Sequence, residues 1–257
     1  MEESQNYIDL DGIRSSWREG LLVLMYHAIE TPPRHQPWRA LYVEPSKLRS
    51  QLKELQASGA RFVSLSDWNH HRSDERQVAV TFDDGFQNVL RQGLPVLREL
   101  GVPSINFIVA GLIGQTNSWD GAGGAQVRPL MGRSEINDWL QAGQEIGSHT
   151  VTHRDLTLLS PKEARREIIE SKKILEDISN RPIRHFSYPY GKSNPVLHDW
   201  VREAGYETAC STEGGYNLKQ QNSHTLRRLL ARHRRPYAVA WGRAALNLLL
   251  LKSPCAR

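Results

Sequence analysis

Apolar residues fall along this chain in two alternating rhythms. Short unbroken runs at 21–25, 62–64, 78–82, 104–109, 145–148, 184–188, 207–211 and 226–230 have strand length and predict strands buried on both faces. Between them, 45–58, 88–100, 134–142, 160–180 and 195–204 carry their apolar residues at helical spacing. The helix signals are local and specific. Ser160-Pro161-Lys162-Glu163 is a capping box with proline at the first helical position, and the helix it opens aligns Ala164, Ile168, Leu175 and Ile178 on one face up to Asn180. Asn194 caps the 195–204 helix, and Gly59, Gly101 and Gly205 stand where helices stop. Repeated strand–helix alternation predicts an α/β fold with a parallel sheet. Seven or eight strands favour closure into a barrel, and no linker divides the chain.

Composition narrows the function classes. A chain of 257 residues with 39% hydrophobic and 24% charged residues is globular rather than disordered or fibrous. No stretch approaches the roughly 20 apolar residues of a membrane span, so no integral membrane protein is expected. Glu2, Glu3, Asp9, Asp11 and Glu19 mark residues 1–20 as an N-terminal extension unlike a secretory signal, which predicts a cytoplasmic location. Cys210 and Cys255 alone support neither a disulfide framework nor a thiolate metal cage. Nine basic residues and no acid follow Gly214, which leaves −4 on residues 1–213 against +5 for the whole chain. That basic tail carries no recognition motif, so nucleic acid is not expected as a partner. Residues 238–251 read as a last helix packed on the barrel. The alternative is peripheral attachment of the basic 238–257 segment to anionic lipid.

Three motifs sit just after predicted strands, where a parallel barrel places its chemistry. Asp83 and Asp84 close the 78–82 run, and Gly85 allows a sharp turn after them. Adjacent carboxylates repel unless a cation or a hydrogen-bond network compensates; capping of the next helix is the plainer reading. His149 and His153 follow the 145–148 strand and converge if their segment winds into a helical turn. With the Asp pair they supply a two-histidine, one-carboxylate set that leaves positions open for water, as catalytic zinc sites require. Ser187-Tyr188-Pro189-Tyr190-Gly191 makes a stiff aromatic turn suited to a sugar face, with a backbone N–H available to an oxyanion. A structural turn with buried tyrosines is its alternative. The glycine-rich 121–124 stretch fits no phosphate-binding pattern, and 111–133 reads as a flexible loop beside the active face.

TFDDG at 81–85, HTVTH at 149–153 and YPYG at 188–191, in that order, resemble the polysaccharide deacetylases that share the NodB homology domain, carbohydrate esterase family 4. The opening Leu24-Met25-Tyr26-His27 and the 45–65 helix–strand unit resemble the poly-N-acetylglucosamine deacetylase-like subgroup. The resemblance spans about 21–230 and implies a distorted (β/α) barrel of about seven parallel strands. It further implies Asp83 as general base, a divalent metal (zinc foremost) on Asp84, His149 and His153, and the Tyr190 backbone N–H as oxyanion donor. The implied reaction removes N-acetyl groups from amino sugars of a glycan. A lipid-linked amino sugar, acetylated or formylated, is the alternative substrate, and a non-catalytic carbohydrate-binding homologue the alternative class. Family members often orient the base with an arginine just before the proline–aromatic motif. Phe186-Ser187-Tyr188 occupies that stretch here, and Arg184 is the nearest arginine. Two histidines compete for the general acid. His233, in Leu230-Ala231-Arg232-His233, has the letters of the family's late leucine–histidine motif, whereas His27 closes the first strand on the side of Asp83.

Overall fold

The computed structural model describes residues 19–33, 38–68, 75–124 and 126–231. His233 and the 238–257 segment lie outside the described residues, as does nearly all of the N-terminal extension. In chain order the structure contains β1 (Gly20–Tyr26), β2 (Ala28–Ile29), β3 (Tyr42–Val43), α1 (Pro45–Ala57), β4 (Arg61–Phe62), β5 (Arg76–Phe82), α2 (Leu94–Leu100) and β6 (Ser104–Ile108). There follow α3 (Arg133–Gln141), β7 (Glu145–Ser148), α4 (Pro161–Ser179), β8 (His185–Ser187), α5 (Pro195–Glu203), β9 (Thr208–Cys210) and β10 (Leu229–Leu230). Among the described residues no helix is long and apolar enough to cross a membrane.

The main sheet is parallel throughout and runs β10-β1-β5-β6-β7-β8-β9. Its distortion has two sources. β4 pairs with β5 at Gln77 and Val78, whereas β6 pairs with β5 at Val80–Phe82, so two short strands share one edge. Between β9 and β10 the ring closes through a single parallel bridge, Cys210 to Leu226, held by Leu226 N–H to the Ala209 carbonyl and Ser211 N–H to the Leu226 carbonyl. This is the expected distorted (β/α) barrel.

The continuous apolar runs reflect burial on both faces. Alternate residues of each strand enter different cores. Leu21, Val23, Ala79, Ile105, Phe107, Cys210 and Leu226 fill the barrel with no helix residue among them. Leu22, Leu24, Val78, Val80, Phe82, Ile146 and Phe186 face outward under helix residues such as Leu52, Leu97, Trp139 and Ile168. Gly147 faces the lumen, because a Cβ there would lie 2.5 Å from the Phe107 ring.

The capping box at Ser160 forms with both of its hydrogen bonds, and Asn194 accepts from the Leu197 N–H. The 88–100 helix differs from expectation. It opens as a π-turn over Val89–Gly93 before α2, since Pro95 lacks the N–H that would extend a regular ladder backward. The 111–133 stretch is not a plain loop. Gly114, Asn117 and Leu130 donate backbone N–H groups to Met131, Arg128 and Gln115, so its two limbs form an antiparallel ladder. A 3-10 turn, Ser118–Gly123, closes its tip.

Candidate metal and catalytic site

The three motifs meet at the C-terminal mouth of the barrel. The period of two along β5 turns Thr81 and Asp83 into the lumen, and the Asp83 N–H is held by the Tyr26 carbonyl. The chain then enters the left-handed region twice in succession, at Asp84 (φ 76) and Gly85 (φ 78). That reversal separates the two carboxylates and aims Asp84 at the histidines. A Cβ at Gly85 would stand 3.1 Å from Ile108 Cδ1, so only glycine fits the turn comfortably.

His149 and His153 do converge, but no helical turn brings them together. Thr150 (φ 67) and His153 (φ 60) are left-handed instead. Of five non-glycine residues with positive φ among the described residues, Asp84, Thr150, His153 and Tyr190 belong to this mouth. Such backbone costs about 1 kcal/mol or more per residue, and persists where surrounding bonds over-determine it. Here Glu167 of α4 does much of that. Its buried carboxylate accepts from Val151 N–H (2.9 Å), Thr152 N–H (2.9 Å) and Thr152 Oγ1 (2.7 Å). Thr150 Oγ1 accepts from the His153 N–H at 3.0 Å.

Asp84 Oδ1 lies 3.5 Å from His149 Nε2 and 3.3 Å from His153 Nε2. His149 donates Nδ1–H to the Ser187 carbonyl at 2.7 Å, and burial holds its pKa down to about 4, so Nε2 presents a lone pair. Asp84 Oδ1 itself is buried without a hydrogen bond among the described residues. Lone pairs facing one another in a dry pocket need a cation between them. The donor atoms of Asp84, His149 and His153 all lie within 4.8 Å of one another. Bonds of 2.0–2.1 Å at a tetrahedral angle would separate neighbouring donors by about 3.4 Å, close to both Asp84 separations. The donor set therefore fits a divalent metal.

Asp83 has a different partner. Arg228, fully buried, donates Nη1–H to Oδ1 (2.7 Å) and Nη2–H to Oδ2 (2.8 Å) in a bidentate pair. Its Nη2 also reaches Ser187 Oγ (2.9 Å), and its Nε reaches the Ser211 carbonyl (2.8 Å). Burial would raise the Asp83 carboxyl, but the Arg228 guanidinium and then His149 outweigh it and hold it well below the ordinary carboxylate range. The arginine that meets Asp83 is thus Arg228, in the segment that closes the barrel, and not Arg184, which pairs on the surface with Glu207. Arg228 correspondingly belongs to the lumen, not to the solvated basic tail.

Of the aromatic turn, only Tyr190 keeps an exposed ring; Tyr188 is buried and donates its hydroxyl to the His224 carbonyl. Tyr190 packs edge-on against His153 at 4.8 Å. His27 lies beyond β1, half-buried, with Nδ1 buried and unbonded among the described residues and its ring within electrostatic reach of Asp83 and Asp84. The structure therefore gathers Asp83, Asp84, His149, His153, Tyr190 and His27 at one mouth. Arg228 and Glu167 are additions that sequence reading did not single out. The available signal was a charged residue at an inward position: Arg228 two residues after Leu226, and Glu167 three after Ala164 on the apolar stripe of its helix.

The polysaccharide deacetylase family profile matches residues 70–209. Among curated proteins, a poly-beta-1,6-N-acetyl-D-glucosamine N-deacetylase of Staphylococcus aureus (strain MRSA252) is 23% identical over 201 residues, covering 73% of this chain and 67% of its own. Among solved structures, BC0361, a polysaccharide deacetylase from Bacillus cereus, superposes with TM-score 0.71 at 24% identity over 88% of this chain and 69% of that one. IcaB from Ammonifex degensii superposes with TM-score 0.71 at 23% identity over 90% and 97%. The chain spans about two thirds of the length of the first two. These superpositions show a shared fold.

Proposed function

This chain belongs to the polysaccharide deacetylase family, and we propose that it is a metal-dependent hydrolase that removes N-acetyl groups from amino sugars of a glycan. The observation that carries the reading is one mouth holding two differently wired carboxylates. Asp84 is left with an oxygen unbonded among the described residues beside the Nε2 atoms of two imidazoles, while Asp83 is clamped by Arg228 and kept off that set. A divalent ion, zinc foremost, held by Asp84, His149 and His153 would polarise an amide carbonyl and make water acidic near neutral pH.

The remaining work falls to the chain's own residues. Arg228 keeps the Asp83 carboxylate ionised and fixed in direction, so it can accept the proton of an attacking water. The Tyr190 backbone N–H, in a left-handed turn at φ 59, is the proposed donor to the developing oxyanion. An amide nitrogen cannot leave as an anion, so an acid must protonate it. We assign that role to His27, whose buried Nδ1 has no partner among the described residues. The products are a free amino sugar and acetate.

The test is release of acetate from β-1,6- and β-1,4-linked N-acetylglucosamine oligomers by zinc-loaded protein, with N-formyl analogues alongside. Acetate release abolished in Asp83→Asn supports the proposal. Formate release alone would change the acyl group, and tight glycan binding without any turnover would make the chain a carbohydrate-binding homologue.

A further inference from the structure

The ladder of 111–133 is tied at its base to the catalytic turn itself. Met131 N–H donates to the Gly85 carbonyl at 2.8 Å, and Gln87 N–H to the Pro129 carbonyl at 3.0 Å. On its other side Arg128 pairs with Glu30 at 2.7 Å, which joins it to the segment that follows His27. An arm secured at two sides of the site presents its tip in a fixed place. At that tip the Trp119 ring stacks on the His153 ring, with centroids 4.3 Å apart and planes 20° from parallel.

The next residue is Asp120, half-buried. Buried Asn117 holds its Oδ2 by an Nδ2–H bond of 2.8 Å, and Asn117 is itself set by the Arg128 N–H. No protein cation pairs with Asp120 among the described residues, in contrast to Asp83 with Arg228. Burial first, then the charge of Asp84, raises the Asp120 carboxyl, and its charge in turn bears on Tyr190 and Tyr42. Asp120 thus follows the ring that stacks on His153, and stands near enough to Asp84 and to the exposed Tyr190 for its charge to act on both.

An acceptor oriented by one amide bond, next in the chain to a stacked aromatic ring and lacking a cation among the described residues, suits a ligand that is neutral, brings hydroxyl donors and has an apolar face. A pyranose has those properties. We propose that Asp120 is a specificity-determining residue that accepts hydrogen bonds from ring hydroxyls of the sugar whose acetamide is cleaved. This rests on the deacetylase reading above. Asp120 selects the sugar and sets its orientation, while the proton transfers belong to Asp83 and His27.

The test combines protein and substrate changes on the zinc-loaded full chain. Asp120→Ala should raise KM for N-acetylglucosamine oligomers by about 10-fold or more, consistent with losing a hydrogen bond to a charged acceptor. Its zinc content should stay that of the unaltered protein, and kcat should change far less than KM. Asp120→Asn, which still accepts from a hydroxyl, should recover part of the loss. Among monodeoxy analogues of the substrate, at least one should lose affinity with the unaltered protein and lose nothing further with Asp120→Ala. Unchanged KM in a zinc-loaded Asp120→Ala protein, or additive losses for every deoxy analogue, would overturn the assignment while leaving the deacetylase reading intact. If the unaltered protein neither binds nor hydrolyses any amino sugar, the deacetylase reading falls and takes this one with it.

Discussion

At the N-terminal mouth of the barrel His185 uses both ring nitrogens, with Nε2 on Ser66 Oγ and Nδ1 on Thr208 Oγ1, each at 2.9 Å. At the C-terminal mouth His149 uses Nδ1 alone, on the Ser187 carbonyl. Burial pushes both imidazoles down to about 4, so a shifted pKa does not separate them. What separates them is spare valence. His185 begins a strand, its ring nitrogens are satisfied by hydroxyls, and the left-handed non-glycine residues nearest it in the chain, Asn180 and Tyr190, are five positions away. His149 ends in a turn built from left-handed residues, and its free lone pair faces an unbonded carboxylate oxygen. At the lower mouth the histidine itself is satisfied by hydroxyls, consistent with the structural role of barrel bottoms, and the one orphaned atom beside it is Glu145 Oε2, with no facing imidazole lone pair among the described residues. The other mouth keeps unsatisfied groups in place with outside bonds, as an active face must.

That contrast can be broken most directly at the two histidines of the upper mouth. Replacing His149 or His153 by alanine should remove the metal and all measurable hydrolysis while circular dichroism stays close to the parent's. Full zinc occupancy by elemental analysis of His149→Ala would dissolve the donor set. Next in size is Asp83→Asn, which should hold its metal and lose roughly 10²–10⁴-fold in kcat. Near-normal kcat in the metal-loaded variant would move the base elsewhere.

Arg228→Met probes the same carboxylate from the other side. It strands a buried charge, and stability by urea denaturation should fall by about 3–5 kcal/mol. The double variant with Asp83→Asn should regain part of that, because no charge is then left unpaired; simple additivity would contradict the buried pair. Smaller again is Glu167→Gln, expected to weaken metal affinity about 10–100-fold through loss of support for the 150–153 turn. Competition with a chromophoric chelator measures it, and unchanged affinity would make Glu167 a packing residue only. The smallest effect on catalysis is expected at the lower mouth. His185→Ala should leave kcat/KM within about twofold and cost about 1–3 kcal/mol of stability for the hydroxyls left unpaired. A large loss of activity there would end the distinction between the two mouths.

Most of the scaffold follows from local physics. Strand runs, helix stripes, the Ser160 and Asn194 caps and the glycine stops each depend on neighbours within a few residues, so the sequence by itself determined the α/β alternation and the parallel barrel. It likewise determined which acids and histidines lie at strand ends, because a strand's end is set by its own residues. Only the tertiary structure decided how those groups are wired. Asp83 and Arg228 meet across 145 residues of chain, in a segment whose short strand gives little periodic signal. The left-handed backbone at Asp84, Thr150 and His153 runs against the preference of each residue taken alone, and persists through bonds from distant elements such as Glu167. The 111–133 arm shows the same limit. Its glycines permit many conformations, and the chosen one is fixed by a ladder and a ring stacking that no local spacing encodes.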